Sequence, residues 1–267
     1  MTTAIASLLD VMAQLRDPEN GCPWDVAQDF ASIAPYTIEE AYEVAEAIAE
    51  ADWPALEDEL GDLLFQVVFY AQMARENGLF DFESIAQGAV DKMVRRHPHV
   101  FGDGSVETAE AQTHAWEAQK AEERAAKAEA KGRTPSVLDG VTNALPALTR
   151  AVKLQARAAR VGFDWPVTLA VIDKIDEELD ELRAEFASGG DKDRVTDEIG
   201  DLLFACVNLA RHNRIDPESA LRQGNAKFER RFRRIEEMLE ESGSSADQSS
   251  LEEMDRLWDA VKAEERA

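Results

Sequence analysis

The sequence predicts an all-α protein made of two copies of one helical domain, and three observations support this. Two acidic pairs, each with residues three apart, occur twice in the same order. The aspartate of each second pair belongs to a Gly-Asp-Leu-Leu-Phe string, at 61–65 and 200–204. The pairs are Glu40/Glu43 with Glu59/Asp62, and Glu178/Glu181 with Glu198/Asp201. Apolar residues recur at helical spacing in nearly every segment, and no segment indicates a strand.

The repeat extends beyond the acidic pairs. Lys92 with Arg95-Arg96 corresponds to Lys227 with Arg230-Arg231, and the pair Trp116/Lys120 corresponds to Trp258/Lys262. The period of about 135 to 142 residues is far longer than in solenoid repeats, so it indicates a duplicated domain. The Gly-Arg-Thr-Pro string at 132–135 is the best boundary, which gives domains 1–134 and 135–267.

The helices are predicted in order from their caps and breakers. An apolar stripe marks 3–16, and the Pro- and Gly-containing stretch that follows indicates a loop. Thr37, with Glu40 three residues later, indicates a capped helix start, Pro54 suits a first turn, and Gly78 ends that helix. The predicted helices are 3–16, 37–50, 54–77, 82–96, 108–131, 145–161, 166–187, 192–213, 217–240 and 251–265.

The composition excludes several classes of protein. Asp and Glu number 54 against 29 Lys and Arg, a net charge of -25, which opposes binding to nucleic acid. Cys22 and Cys206 lie in unrelated contexts, so a reducing compartment is expected. No apolar run is long enough for a membrane span, and no secretion signal is recognised. We therefore expect a cytoplasmic protein that binds no membrane.

The repeated acidic pairs predict a metal site in each half. Residues three apart share one helix face, so two such helices can bring four carboxylates together, and a partly buried cluster of this kind needs a cation. A single Glu-x-x-Glu would normally be solvated surface, but these pairs repeat and adjoin apolar residues. Oxygen ligands favour Mg²⁺, with Mn²⁺ as a possible substitute. A di-iron bundle is disfavoured because no Glu-x-x-His pair occurs.

Basic and aromatic residues allow two interpretations. Lys227 and Arg231, and the helical set Arg150, Lys153 and Arg157, are either solvated surface or a phosphate clamp. Trp258, with Lys262 one turn later, either packs in the core or stacks on a base. No P-loop or dinucleotide fingerprint is present, so water is the expected nucleophile.

Several strings resemble one known family. Glu-x-x-Glu followed by Glu-x-x-Asp is the signature of the all-α nucleoside triphosphate pyrophosphohydrolases, and the chain resembles their two-domain MazG group. The strings that carry the resemblance are 15–25 (LRDPENGCPWD), 96–101 (RHPHVF) and 227–232 (KFERRF). With the duplication, the resemblance covers essentially the whole chain.

The resemblance implies hydrolysis of a nucleoside triphosphate to the monophosphate and pyrophosphate, with Mg²⁺, by a helical homo-oligomer, most simply a dimer with four-helix-bundle-like units. It implies that Glu178, Glu181, Glu198 and Asp201 bind Mg²⁺, with Glu40, Glu43, Glu59 and Asp62 as their N-terminal counterparts. It further implies that Lys227 and Arg231 hold phosphates and that Trp258 and Lys262 contact the nucleotide.

The two halves are not expected to be equivalent. Lys153 and Arg157 precede the second acidic set, whereas the comparable first helix has only Arg16 near its end. The C-terminal half is therefore predicted to be catalytic and the N-terminal half structural or weakly active. Glu177 is a candidate to orient or deprotonate water, or else an ordinary surface acid. A nucleotide-sensing protein with little turnover, and a pyrophosphohydrolase specific for phosphoribosyl-ATP or one deoxynucleotide, stay as alternatives.

Overall fold

A computed structural model describes residues 3–103, 105, 108–130 and 132–266, and these residues form helices joined by turns, without any β-strand. The all-α prediction is confirmed. The helices are α1 (Ala4–Leu15), α2 (Pro23–Ala27), α3 (Phe30–Glu50), α4 (Trp53–Glu76), α5 (Phe82–Arg96), α6 (Pro98–Phe101), α7 (Ala109–Ala130), α8 (Ala147–Ala159), α9 (Thr168–Ser188), α10 (Lys192–His212), α11 (Pro217–Glu241) and α12 (Leu251–Glu264). Across the described residues, every helix is too short or too polar to span a membrane.

The chain divides into two compact units, Met1–Gln119 and Lys120–Ala267. This division falls within α7, ahead of the 134/135 boundary, which stays a prediction about independently folding domains. Lys131, the predicted last residue of that helix, lies outside the described residues.

The N-terminal unit is organised around the α3–α4 hairpin, against which α1 and α5 pack through α4. Its buried cluster combines residues from α1, α3 and α4, with Leu8, Leu9, Phe65, Tyr70 and Phe82 around it. The cluster contains Met12, Ile33, Val68, Phe69 and Met73. Burial of an apolar side chain of this size contributes about 1.5–3 kcal/mol, so this cluster is the main reason that the hairpin keeps its position.

The start of α3 differs from the prediction. The helix begins at Phe30, where the Asp29 side chain accepts from the Ala31 and Ser32 amides in a capping box. Thr37 lies inside the helix, and its hydroxyl is 2.9 Å from the Tyr70 hydroxyl on α4. The prediction of Thr37 as the cap was wrong, because Asp29 caps the helix and α3 continues through Pro35.

Arg16 joins three segments of the N-terminal unit. Its side chain is only 8% exposed, and its Nε and Nη2 donate to the Glu76 carboxylate at the end of α4. Its Nη1 donates to the carbonyls of Asp25 and Gln28, and the guanidinium lies 5.3 Å from the Phe69 ring centre. Arg16 is thus committed to structure, and it lowers the pKa of Glu76 by hydrogen bonding.

The C-terminal unit repeats the hairpin as α9–α10, and α8 packs on α10 while α11 packs on α12. Gln155 of α8 donates to the Phe204 carbonyl of α10 at 2.8 Å. A second apolar cluster joins α11 and α12 through Ile235, Leu239 and Val261, with Trp258 packed against it. In both halves the helix before the hairpin packs on the second hairpin helix, α1 on α4 and α8 on α10. This correspondence is consistent with duplication.

The hairpin turns account for the unequal spacing of the acidic pairs. Glu43 and Glu59 are 16 positions apart, whereas Glu181 and Glu198 are 17 apart. Two residues, 51 and 52, separate α3 from α4, whereas three, 189–191, separate α9 from α10. Both turns open with a left-handed residue, Ala51 at φ 57° and Gly189 at φ 70°. The extra residue lies wholly in the turn, so the carboxylates keep their places along both helices.

Replacement of Arg16 by Met is expected to lower the free energy of unfolding by about 2–3 kcal/mol, because charged hydrogen bonds are lost and Glu76 loses its partner. Urea unfolding of the full chain, followed by circular dichroism, measures this loss. Arg75→Met is the control, since Arg75 is exposed on the turn of α4 that contains Glu76. There the free energy of unfolding is expected to change by no more than about 0.5 kcal/mol. Equal losses in the two variants would contradict the assigned role of Arg16.

Candidate functional site

Three carboxylates of the C-terminal hairpin converge, as the sequence predicted. Glu178 and Glu181 on α9 and Glu198 on α10 each place one carboxylate oxygen within 4.8 Å of the others. Glu178 is only 4% exposed, and its Oε2 is buried with no hydrogen-bond partner. The pKa of Glu198 is raised, first by burial and then by the charges of Glu181 and Glu178. The trio therefore carries more negative charge than the protein neutralises.

Asp201 lies beside this trio rather than within it. It follows Glu198 on the same face of α10 but is exposed, and its charge is among the smaller causes that raise the pKa of Glu198. The structure therefore brings together three of the four predicted carboxylates, with the fourth close enough to act electrostatically.

Lys174 is a site residue that the sequence reasoning missed. It lies one helical turn before Glu178, and its Nζ is 2.7 Å from Glu178 Oε1 and 2.7 Å from Glu177 Oε1. The hydrogen bond that Lys174 donates to Glu177 is the main cause of the raised pKa of Lys174. An i,i+4 Lys-Glu pair was the available signal. The Lys174 ammonium group therefore binds two carboxylates: Glu177, the candidate for activating water, and Glu178, a predicted metal ligand.

Glu185 is the second site residue that the sequence reasoning missed. It is buried two turns after Glu178 on α9, forms an ion pair with Arg194 at 2.5 Å, and has a buried Oε2 without a partner. A Cβ at Gly190 would lie 2.9 Å from the backbone carbonyl oxygen of Glu185 and 2.6 Å from this Oε2, so the turn needs glycine at that position. Glu185 also adds to the charge that raises the pKa of Glu198.

The N-terminal hairpin forms the matching trio. Glu40 and Glu43 on α3 and Glu59 on α4 each place one oxygen within 4.8 Å of the others, and Asp62 is exposed beside them. The pKa of Glu40 is raised by burial and then by Asp62 and Glu43, while a hydrogen bond from Gln66 lowers it.

Two substitutions distinguish this trio from its C-terminal counterpart. Tyr36 takes the place of Lys174, one turn before the first glutamate, and its ring contacts Trp24 edge-on at 5.9 Å. Gln66 takes the place of Ala205, and its Oε1 is buried without a partner. The N-terminal trio thus has a neutral neighbour where the C-terminal trio has an ammonium group.

The predicted phosphate and base contacts lie together on α11 and α12. Arg231 lies over the Trp258 ring at 5.4 Å, and Phe228 packs against the same ring at 5.6 Å. Lys227 is exposed on α11, and Lys262 forms a 3.0 Å ion pair with Asp259. The Trp116 indole differs, because its Nε1 donates to the Arg96 carbonyl at 2.9 Å.

Of the three basic residues on one face of α8, two bind other parts of the protein and one is exposed to solvent. Arg157 Nη1 donates to the carbonyls of Val137 and Asp139 at 3.3 Å, and Arg150 donates to Asn143 at 2.9 Å. Lys153 is exposed between them. Of the three, Lys153 therefore has the most freedom to contact a ligand.

The donor set of both trios suits a hard divalent cation. All ligands are carboxylate oxygens, which Mg²⁺ and Mn²⁺ prefer, and the unpartnered buried Oε2 of Glu178 is the kind of atom that a cation satisfies. Arginine and lysine lie on α11, which packs against α10. This combination of carboxylate-held metal and cationic side chains suits phosphoanhydride chemistry.

Comparison with known proteins places the chain in a family. The MazG nucleotide pyrophosphohydrolase domain matches residues 28–101 and 168–235, which include both carboxylate trios. The chain is 52% identical over 262 residues to the nucleoside triphosphate pyrophosphohydrolase of Escherichia coli K12, covering 98% of each. It is 43% identical over 256 residues to the nucleoside triphosphate pyrophosphohydrolase/pyrophosphatase MazG of Thermotoga maritima, covering 96% of this chain and 94% of the relative. The chain therefore belongs to the family of proteins with MazG nucleotide pyrophosphohydrolase domains.

Proposed function

We propose that this protein hydrolyses nucleoside triphosphates to nucleoside monophosphates and pyrophosphate in its C-terminal unit. The observation that carries this proposal is the trio of Glu178, Glu181 and Glu198, whose oxygens lie within 4.8 Å of one another beside Lys174. The names of the Escherichia coli and Thermotoga maritima relatives support the same reaction.

Glu178, Glu181, Glu198 and Asp201 would hold Mg²⁺, with Mn²⁺ as a substitute. The metal, when bound, neutralises phosphate charge and lowers the pKa of bound water. Lys174 would hold Glu178 in position before the metal binds, because its ammonium group lies 2.7 Å from Glu178 Oε1. Glu177, which also pairs with Lys174 at 2.7 Å, is proposed to orient the attacking water.

The substrate contacts are proposed from the residues on α8, α11 and α12. Arg231 and Lys227 would bind phosphates, Arg231 through its fork of donors and Lys227 as a point charge. Trp258 offers an aromatic face to the base, and Lys262 lies one turn beyond it. Lys153 and Arg157 would add positive charge at the edge of the site.

For the N-terminal unit we propose cation binding without efficient turnover. Glu40, Glu43 and Glu59, with Asp62 beside them, form the same donor set, but Tyr36 replaces the ammonium group of Lys174. This neutral replacement favours a structural or sensing role for the unit. We place the boundary of the two folding domains after residue 134.

We also propose a homodimer in which the two hairpins form four-helix-bundle-like units with their copies. Each hairpin exposes large apolar side chains, which is unusual for a surface that stays in water. On α3 and α4 they are Ile38, Tyr42, Ile48, Trp53 and Leu60; on α9 and α10 they are Leu169, Ile172, Phe186, Ile199, Leu203 and Phe204.

Incubation with ATP and Mg²⁺ is expected to release AMP and pyrophosphate in equal amounts, and EDTA is expected to stop the reaction. Anion-exchange chromatography of the early products measures both. ADP and orthophosphate as first products would exclude the proposed reaction. A panel of nucleoside triphosphates and phosphoribosyl-ATP in the same assay measures specificity, and a strictly single substrate would favour the narrow alternative.

Glu198→Gln is expected to reduce kcat/KM by at least about 100-fold, because it removes one of three converging charges that hold the metal. The repeat provides the matched control, Glu59→Gln, which makes the same change in the N-terminal trio. We expect that control to stay within about threefold of the parent, since a structural site contributes little to the reaction barrier. Equal losses in both variants would contradict the assignment of catalysis to the C-terminal unit alone.

Light scattering is expected to give a dimer at micromolar concentration, rather than the 29.6 kDa of one chain. Ile199→Lys with Leu203→Lys should shift the mass toward the monomer, because two ammonium groups would be buried one turn apart on the same face of α10. Asp197→Lys, at an exposed position on the other side of the same helix, is the control. A wild-type protein with the mass of a single chain would contradict the dimer.

A further inference from the structure

Glu265, directly after α12, holds two arginines of α11 at once. Its Oε2 accepts from Nε and Nη2 of Arg231 at 2.9 and 2.7 Å. Its Oε1 accepts from the same two atoms of Arg230 at 3.2 and 2.9 Å. One carboxylate thus occupies the Nε/Nη2 edge of two adjacent guanidinium groups.

The surroundings make these two arginines an anion site rather than an ordinary surface pair. Arg231 is 19% exposed, with one face against the Trp258 ring, while Arg230 is 64% exposed. The hydrogen bonds, first from Arg231 and then from Arg230, lower the pKa of Glu265 to about 2, so the carboxylate is ionised at neutral pH. The pair of arginines already binds an oxyanion group supplied by the chain itself.

We propose that Glu265 is an internal competitor for the phosphate-binding edge of Arg231, and that it sets the affinity of the site for polyphosphate. A phosphate and a carboxylate use the same donor edge of a guanidinium group, and that edge cannot serve both with two hydrogen bonds. Binding of a substrate phosphate at this edge therefore requires displacement of Glu265. This inference rests on the proposed assignment of Arg231 to phosphate binding.

The competitor has a consequence for the products as well as the substrate. Any phosphate that leaves Arg231 is replaced by a carboxylate already attached at high local concentration, which favours release. Every anion that uses this edge must displace Glu265, so the competitor weakens the binding of each of them by the same factor. Glu265 therefore sets the affinity of the edge and not its selectivity among anions.

Glu264 provides a matched control on the same turn. It carries the same charge, lies one residue away, and pairs with Arg234 at 3.4 Å rather than with Arg230 or Arg231. A comparison of Glu265→Gln with Glu264→Gln separates loss of the competing carboxylate from the general effect of removing one negative charge from an acidic protein.

The first test measures binding of inorganic tripolyphosphate to the full-length protein by calorimetry, at low salt and with EDTA. Without a metal or a nucleoside, this measurement reports the arginines and not the carboxylate trio. We expect the Kd to fall about three- to tenfold in Glu265→Gln and to change less than twofold in Glu264→Gln, in line with the strength of partly exposed ion pairs. Glu265→Asp, which keeps the charge on a shorter side chain, should lie between wild type and Glu265→Gln.

Arg231→Gln tests whether the gain acts through the proposed edge. In that background, Glu265→Gln should no longer lower the Kd. An unchanged or raised Kd in Glu265→Gln with an intact helical spectrum would overturn the proposal, because it would show that Glu265 only positions Arg231. A gain that persists without Arg231, or an equal gain in Glu264→Gln, would overturn it too.

A kinetic measurement separates this inference from the proposed function. If the protein releases pyrophosphate from ATP, Glu265→Gln should lower the KM for ATP by a similar factor without raising kcat, and a raised KM would overturn the inference. If it releases none, the proposed function fails, while the tripolyphosphate measurement still decides the competition at Arg231.

Discussion

Repulsion between carboxylates that face each other across a helical hairpin is the constraint on which each unit depends. Three acids whose oxygens lie within 4.8 Å of one another oppose formation of the hairpin unless positive charge is supplied. The C-terminal unit supplies part of it through Lys174, whereas in the N-terminal unit Gln66 supplies a neutral hydrogen bond. A cation bound as proposed above would offset the remaining charge in both trios, and assembly of the site would then be coupled to binding of the metal.

The helices around each trio are held by features that have no part in chemistry. Helix caps, the left-handed turn residues and the buried clusters fix the lengths and ends of the hairpin helices, so that a one-residue difference between the halves is confined to the turn. Arg16, directly after α1, is bonded to a carboxylate of α4, whereas Gln155 of α8 is bonded to a backbone carbonyl of α10. The duplicated chain has therefore kept the geometry of the acids while changing the contacts that support it.

Much of the fold and the centre of the site could be predicted because their signals are local. Helical spacing revealed both acidic pairs, and repetition separated them from ordinary surface acids. The start of α3 at Phe30 was not predicted, because Thr37 followed by Glu40 has the spacing of a capping box although both residues lie inside the helix. The bond from Arg16 to Glu76 and the bonds of Arg157 and Glu265 join residues 18 or more positions apart, which no local pattern specifies.

Comparison of the two trios shows why the acids alone do not define a catalytic unit. Both hairpins place three oxygens within the same distance, yet only α9 has a lysine one turn before the first ligand. A triphosphate brings about four negative charges near neutral pH, so a site made only of acids and one divalent cation stays repulsive toward it. Lys174 offsets part of that charge beside the C-terminal trio, whereas Tyr36 adds none beside the N-terminal trio. Arg230-Arg231 has its counterpart in Arg95-Arg96, so that string does not distinguish the halves. We therefore expect the charge beside the trio, rather than the number of acids, to decide which half of the molecule accepts a polyphosphate.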